Sequence, residues 1–166
     1  SLTIRLRTAS LRDLATLRYW DTQPHVIASD PHDDWHWEEE LKRTPAWREM
    51  LIAESEGMPI GFIQIIDPAE EESQYWGTVG PGLRAIDIWI GEKENLGKGY
   101  GTEMMKLAIE RCFGSDEVRA IVIDPLASNK KAHRFYERFG FRFVEAKRFG
   151  EDDCFVYRLD RKIWKA

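Results

Sequence analysis

The stretch from Leu83 to Thr102, LRAIDIWI, then GEKEN, then LGKGYGT, restricts the architecture more than any other part of this sequence. Ile86, Ile88 and Ile90 alternate with Ala85, Asp87 and Trp89, the period of a strand whose two faces differ. Gly97, Gly99 and Gly101 then alternate around Lys98 and Tyr100. Beyond them Met105, Ala108, Ile109 and Cys112 recur at helical spacing, which predicts a helix from about Gly101 to Phe113. A glycine loop between a strand and a helix lets main-chain amides and a helix N-terminus face one anion together, and Lys98 adds positive charge. The alternative is a flexible turn that uses glycine only for its backbone angles. Two common phosphate loops fail on spacing: Lys98 is followed by glycine rather than Ser or Thr, and one residue separates Gly99 from Gly101 where a dinucleotide fingerprint needs two.

The rest of the chain supplies a mixed set of elements. Ile4 and Leu6 alternate with Arg5 and Arg7 as a strand, and Ser10 with Asp13 forms a capping-box-like start to a helix carrying Leu11, Leu14, Ala15 and Leu17. A second, acidic helix is predicted from Trp35 to Trp47, interrupted near Pro45. MLIAESEGMPIGFIQII reads as an antiparallel hairpin turning at Glu56-Gly57-Met58, and Asp67 to Gly82 as a loop. VRAIVID is a short buried strand stopped by Pro125. Ser128 or Asn129 caps a helix with an inner face of Ala132, Phe135, Tyr136 and Phe139, ended by Gly140. Phe141 to Val144 and Cys154 to Leu159 close the sheet. The expectation is one α+β domain over residues 1–166, a mixed and largely antiparallel sheet flanked by helices.

Composition bounds the function. With 166 residues, 43% hydrophobic and 32% charged, the chain is long enough for an ordinary core and too apolar for disorder. No apolar run is long enough to cross a bilayer, and the opening SLTIRLRTAS lacks a signal-peptide core. Two cysteines make no disulfide framework, so the expected compartment is the cytoplasm. A net charge of −5 speaks against a nucleic-acid partner and suits a cationic substrate. His25, His32 and His36 form no compact ligand motif, and no metal is expected.

Asp87 stands in the middle of an apolar strand, where an ionised group costs several kcal/mol, on the order of a few, unless paired or solvated. Either a cleft that receives substrate or a partner such as Arg84 or Arg158 would account for it. Asp124, at the end of AIVID, is a second acid, although Asp-Pro also commonly opens a turn. SDPHDDWHWEEE and EESQYW mix carboxylates with aromatic rings, a combination suited to several ammonium groups and to sugar faces.

Taken together, LGKGYG and N..AH.FYE.FGF resemble the GNAT superfamily of acetyl-CoA-dependent N-acetyltransferases over essentially the whole chain. Within it, PGLRAIDIWI before LGKGYGT, with IDPLASN before A.RFYE..GF, resembles the aminoglycoside 6'-N-acetyltransferases, most closely after about Pro81. Related siderophore lysine acyltransferases share much of this pattern. The resemblance implies that Gly97, Gly99 and Gly101, with the amides of Lys98, Tyr100 and Thr102, hold the pyrophosphate of coenzyme A. It adds Ile88, Trp89, Ile90, Leu96 and Ala132 to the cofactor contacts. Leu96 replaces the Gln or Arg common before the first glycine, which the amide cradle does not need. Asn129 either bonds the pantetheine arm or caps its helix.

The resemblance further makes Tyr136 the proton donor to the leaving thiolate and Asp87 the carboxylate that meets, and deprotonates, the acceptor amine. Trp20, Tyr75, Trp76 and Asp124 are assigned with Asp87 to the acceptor wall. The implied reaction is direct acetyl transfer in a ternary complex to a polycationic small molecule, with a monomer or homodimer expected. The alternatives are a siderophore-type lysine or a protein or peptide amine as acceptor, and a CoA-binding regulatory domain without turnover.

Overall fold

The computed structural model describes residues 3–164. Seven strands form one sheet: β1 (Arg5–Thr8), β2 (Arg48–Ser55), β3 (Met58–Ile66), β4 (Leu83–Ile90), β5 (Ala120–Ile123), β6 (Arg142–Phe149) and β7 (Asp152–Asp160). Their spatial order is β1-β2-β3-β4-β5-β7-β6, and every neighbouring pair is antiparallel except β4 with β5. The helices are α1 (Leu14–Trp20), α2 (Pro24–Ser29), α3 (Trp37–Glu40), α4 (Tyr100–Phe113), α5 (Lys130–Glu137) and α6 (Arg161–Trp164). The expected mixed α+β sheet is the fold observed.

The two faces of the sheet have different cores, and the strand pleat assigns residues to each. Leu51, Ala53, Ile63, Ile65 and Ile86 share one face with Met104, Met105, Ala108, Ile109 and Cys112 of α4. Burying each large side chain there contributes about 1.5–3 kcal/mol. Met50, Ile52 and Phe62 point to the opposite face, where Leu17, Trp20, Trp37 and Leu41 cover them and Trp35 and Trp89 join. Asp87 lies between Ile86 and Ile88 in sequence and so shares this second, aromatic face with Trp89.

The acidic helix expected from Trp35 to Trp47 is reduced to the single turn of α3. Trp35 and Trp37 stack in parallel at 4.9 Å, which residues two apart on a helix cannot do. The chain achieves it by placing His36 in the left-handed region, φ 50°. Thr44 before Pro45 is then kept out of helical geometry. The closing strands run longer than expected because β6 continues to Phe149 and turns at Gly150 into β7. Most of β6 is exposed, so its sequence carries no alternation to read. Helix α4 starts at Tyr100, and the first helix is preceded by a separate turn at Leu11–Asp13. There Asp13 accepts from the Ser10 N–H at 2.9 Å, as the capping-box pattern anticipated, and also from Arg7 at 2.7 Å.

The end of β4 is fixed by a close approach. A Cβ on Gly91 would lie 2.0–2.4 Å from the indole of Trp20, a fully buried ring. Gly91→Ala should therefore lower unfolding free energy by about 1–3 kcal/mol. Gly80→Ala, which meets nothing within 4 Å, should change it by less than about 0.5 kcal/mol. Urea titrations of both variants check the contrast.

Candidate active site

Strand β5 pairs with β4 only over Leu83, Ala85 and the residue between them, opposite Ala120 to Val122. β4 runs on to Ile90 without it. The Gly91 N–H donates to the Ile60 carbonyl, so the main-chain groups of residues 87, 89 and 91 face β3. Those of Ile88 and Ile90 face the edge that β5 has left. His25 Nε2 lies 2.8 Å from the Ile90 carbonyl, donating to it from α2. The Ile88 main chain and the Ile90 N–H therefore form a strand edge open to an extended ligand. Trp89, expected beside them, turns both its main chain and its side chain elsewhere. Its ring lies 4.7 Å from Phe62 and 5.3 Å from Trp35, and its indole N–H is buried without a partner among the described residues.

The glycine loop lies beyond the end of this edge. Gly97 and Gly99 adopt φ of 73° and 85°, which a side chain would strain, and a Cβ on Gly97 would enter open space. Gly101 differs, because it lies in the first turn of α4 without a positive φ, and a Cβ there would only touch Phe135 at 3.7 Å. The Glu103 N–H bonds the Gly99 carbonyl, which leaves the earlier amides of the first turn directed outward. Exposed Leu96, Lys98 and Thr102 border the loop. An anion with an extended arm fits this arrangement: charge at the α4 N-terminus and the arm along Ile88 and Ile90. Asn129 serves as the helix cap, its Oδ1 accepting from the Ala132 N–H at 3.1 Å.

Four carboxylates and two phenols gather on the other side of the opening. Asp87 accepts from Gln64 Nε2 at 2.8 Å, and Asp124 accepts from the Tyr75 hydroxyl at 2.5 Å. Asp30 and Asp33, in the loop after α2, are joined through the main chain, the Asp33 N–H donating to the Asp30 carbonyl at 3.5 Å, and lie within electrostatic reach of both. Neither anticipated arginine is present. Arg84 pairs with Asp67 and Glu117, and Arg158 pairs with Asp160. Burial raises the pKa of Asp87 above the ordinary carboxylate range, opposed by the Gln64 hydrogen bond and aided by Asp33. Burial also raises Asp124, with Asp87 adding to the effect, and raises Asp30 with Asp33, Asp87 and Asp124. The Tyr136 hydroxyl is held protonated by burial and by the charges of Asp87 and Asp124. It makes no hydrogen bond among the described residues, while its ring packs near Phe135 and Phe141.

The structure thus brings Asp87, Asp124, Tyr75 and Tyr136 together and leaves two expected residues outside. Trp20 is fully buried, its indole N–H 3.3 Å from Glu92, and lines no opening. Trp76 supports the cleft from behind, edge-on to Phe149 at 5.2 Å, while Tyr75 stacks on that ring at 4.6 Å. Asp30, Asp33 and Gln64 were not singled out from the sequence. The first two lie within SDPHDDWHWEEE, which the sequence offers only as a set of carboxylates and rings before and within the acidic helix expected from Trp35. His133 was also missed: it is buried on the inner face of α5, and its Nε2 lies 2.9 Å from the Leu126 carbonyl, tying α5 to the turn after β5.

Asp87 and Asp124 make the unliganded protein less stable at neutral pH. Their folded pKa values are raised above the ordinary 3.8, so the folded state binds more protons than the unfolded chain. Stability then falls as pH rises from that ordinary value through the raised range, and the penalty is absent below it. Asp124→Asn, which keeps an acceptor for Tyr75, should raise Tm by about 2–4 °C near pH ~8. The gain should shrink toward zero near pH ~4, as thermal melts across pH will show.

Comparison with known proteins agrees with this geometry. Residues 9–149 match the acetyltransferase (GNAT) domain. The chain is 33% identical over 156 residues to aminoglycoside N(6')-acetyltransferase type 1 of Klebsiella pneumoniae, covering 85% of this chain and 74% of that one. A kanamycin resistance protein of Rhizobium radiobacter is 39% identical over 72 residues, 43% of this chain and 67% of its own. Among solved structures, aminoglycoside acetyltransferase AAC(6')-Ib in complex with coenzyme A and kanamycin superposes with a TM-score of 0.87 at 27% identity, covering 98% of each chain. With its open β4 edge, its glycine loop and its extended match, this chain belongs to the GNAT acetyltransferase family.

Proposed function

We propose that the protein transfers the acetyl group of acetyl-CoA to a primary amine of a polycationic acceptor, the 6'-amine of an aminoglycoside. The observation that carries this reading is the pair of half-buried carboxylates, Asp87 and Asp124, held among the described residues by neutral donors only. Their charge is left for the ligand, and Asp30 and Asp33 extend the negative region for further ammonium groups. Kanamycin bound to a structural neighbour and the activity named for the Klebsiella relative support the same acceptor class.

The residues divide the work by position. Acetyl-CoA, when bound, supplies an activated acyl carbon and a thiolate leaving group. The amides at the start of α4 and Lys98 hold its phosphates, and the Ile88 and Ile90 edge holds its arm. Asp87 binds the incoming ammonium on the aromatic face of β4 and accepts the proton the amine must lose before it attacks. Its raised pKa makes it a better base than an exposed aspartate, because the proton it receives also relieves its burial. Tyr136 keeps its proton and donates it to the departing sulfur, where negative charge develops.

Thiol release from acetyl-CoA with kanamycin is the direct test, run beside a lysine derivative that carries fewer cationic groups. Asp87→Asn should lower kcat about 100- to 10,000-fold and leave coenzyme A affinity unchanged. Tyr136→Phe should lower kcat about 100-fold. Release with the lysine derivative alone would reassign the acceptor; an unchanged rate in Asp87→Asn would remove its role.

A further inference from the structure

Gln64 is the one buried neutral amide in β3, between Ile63 and Ile65, which pack into the opposite core. An apolar residue there would avoid the cost of desolvating an amide, so its presence calls for a partner that repays burial. The partner is Asp87. The two residues lie directly opposite each other across the antiparallel pair, and Gln64 Nε2 donates to Asp87 Oδ2 at 2.8 Å. Directly paired residues stand close on one face of a sheet, so strand register rather than a flexible loop sets this contact. Gln64 is only 7% exposed, and the packing around it leaves the amide little freedom to turn away.

An arginine at this place would hold Asp87 more tightly and would also neutralise it. A glutamine donates one hydrogen bond and leaves the carboxylate charge whole. We propose that Gln64 is the positioning residue of the acetyl transfer: its amide fixes Asp87 Oδ2, leaves Oδ1 for the acceptor amine, and keeps Asp87 ionised without cancelling its charge. The inference rests on the acetyltransferase reading above. The other groups that bear on Asp87 are Asp30 and Asp33 after α2, Asp124 at the end of β5, Tyr75 in the loop before β4, and Tyr136 on α5. The three acids oppose its ionisation when charged, and the two phenols are held neutral. Among these contacts the Gln64 hydrogen bond is the one that favours the charged form.

The test separates positioning from packing, and separates both from the acceptor assignment. Gln64→Met keeps the shape and removes the donor; Gln64→Glu keeps the shape and replaces the amide with a second carboxyl. Carboxyl 13C titration of the unliganded protein follows Asp87 directly, its resonance assigned by its loss in Asp87→Asn. In Gln64→Met the Asp87 midpoint should move up by about one pH unit, and in Gln64→Glu further, because two carboxyls then compete for one proton. With an accepted amine, the acid limb of kcat should move up by the same interval in Gln64→Met. Its rate should fall about tenfold below that limb and recover at alkaline pH, with KM for acetyl-CoA unchanged. A midpoint that stays in place in either folded variant overturns the proposal, as does a rate loss that alkaline pH does not restore. Failure of the wild-type protein to acetylate any aminoglycoside would instead strike the acceptor reading, and the titration would still decide the role of Gln64.

Discussion

Enclosing Asp87 without a cation among the described residues is the constraint around which the proposed acceptor half of this protein is arranged. A carboxylate in an apolar strand ordinarily costs stability, and nearby arginines are the ordinary remedy. Here Arg84 and Arg158 are engaged elsewhere, and two neutral groups, Gln64 and Tyr75, hold Asp87 and Asp124 by one oxygen each. The result is a concentrated negative site whose own members repel one another. Such a site loses stability in the free protein and recovers it when ammonium groups enter, which is a physical reason for it to select polycations.

The proposed donor half depends on a different fact, the parting of β5 from β4 after Ala85. That parting exposes a strand edge, directs the glycine loop and the α4 N-terminus to its end, and sets Asp124 across from Asp87. The two halves are coupled through α2. His25 bonds the last carbonyl of the open edge, and five residues later the same segment delivers Asp30 to the acid cluster. The residue that trims the proposed donor edge thereby also belongs to the segment that supplies part of the proposed acceptor wall.

Much of this was legible in the sequence, for identifiable reasons. The alternation in β4 and the repeat in α4 are local signals, and they put Asp87 on the correct face and the glycines at the correct junction. The Asn129 cap and the positive φ of Gly140 followed from local chemistry as well. What failed was non-local. Trp35 stands outside helical geometry to stack on Trp37 and cover Phe62, an outcome set by the sheet beneath them. Trp20 looked like a cleft residue because nothing near it in sequence showed that Gly91 would lie against its ring. Gln64 was invisible because its importance lies in strand register, which no single stretch of sequence displays.

The central claim is that an uncompensated carboxylate cluster meets a polycation, and proton linkage tests it most directly. At about pH 6 the amines of kanamycin are already charged, while carboxyls with raised pKa values still carry protons. Calorimetric binding of kanamycin in buffers of different ionisation enthalpy should therefore report net proton release, reduced in Asp124→Asn. Binding with no proton exchange, or with uptake, would contradict the account.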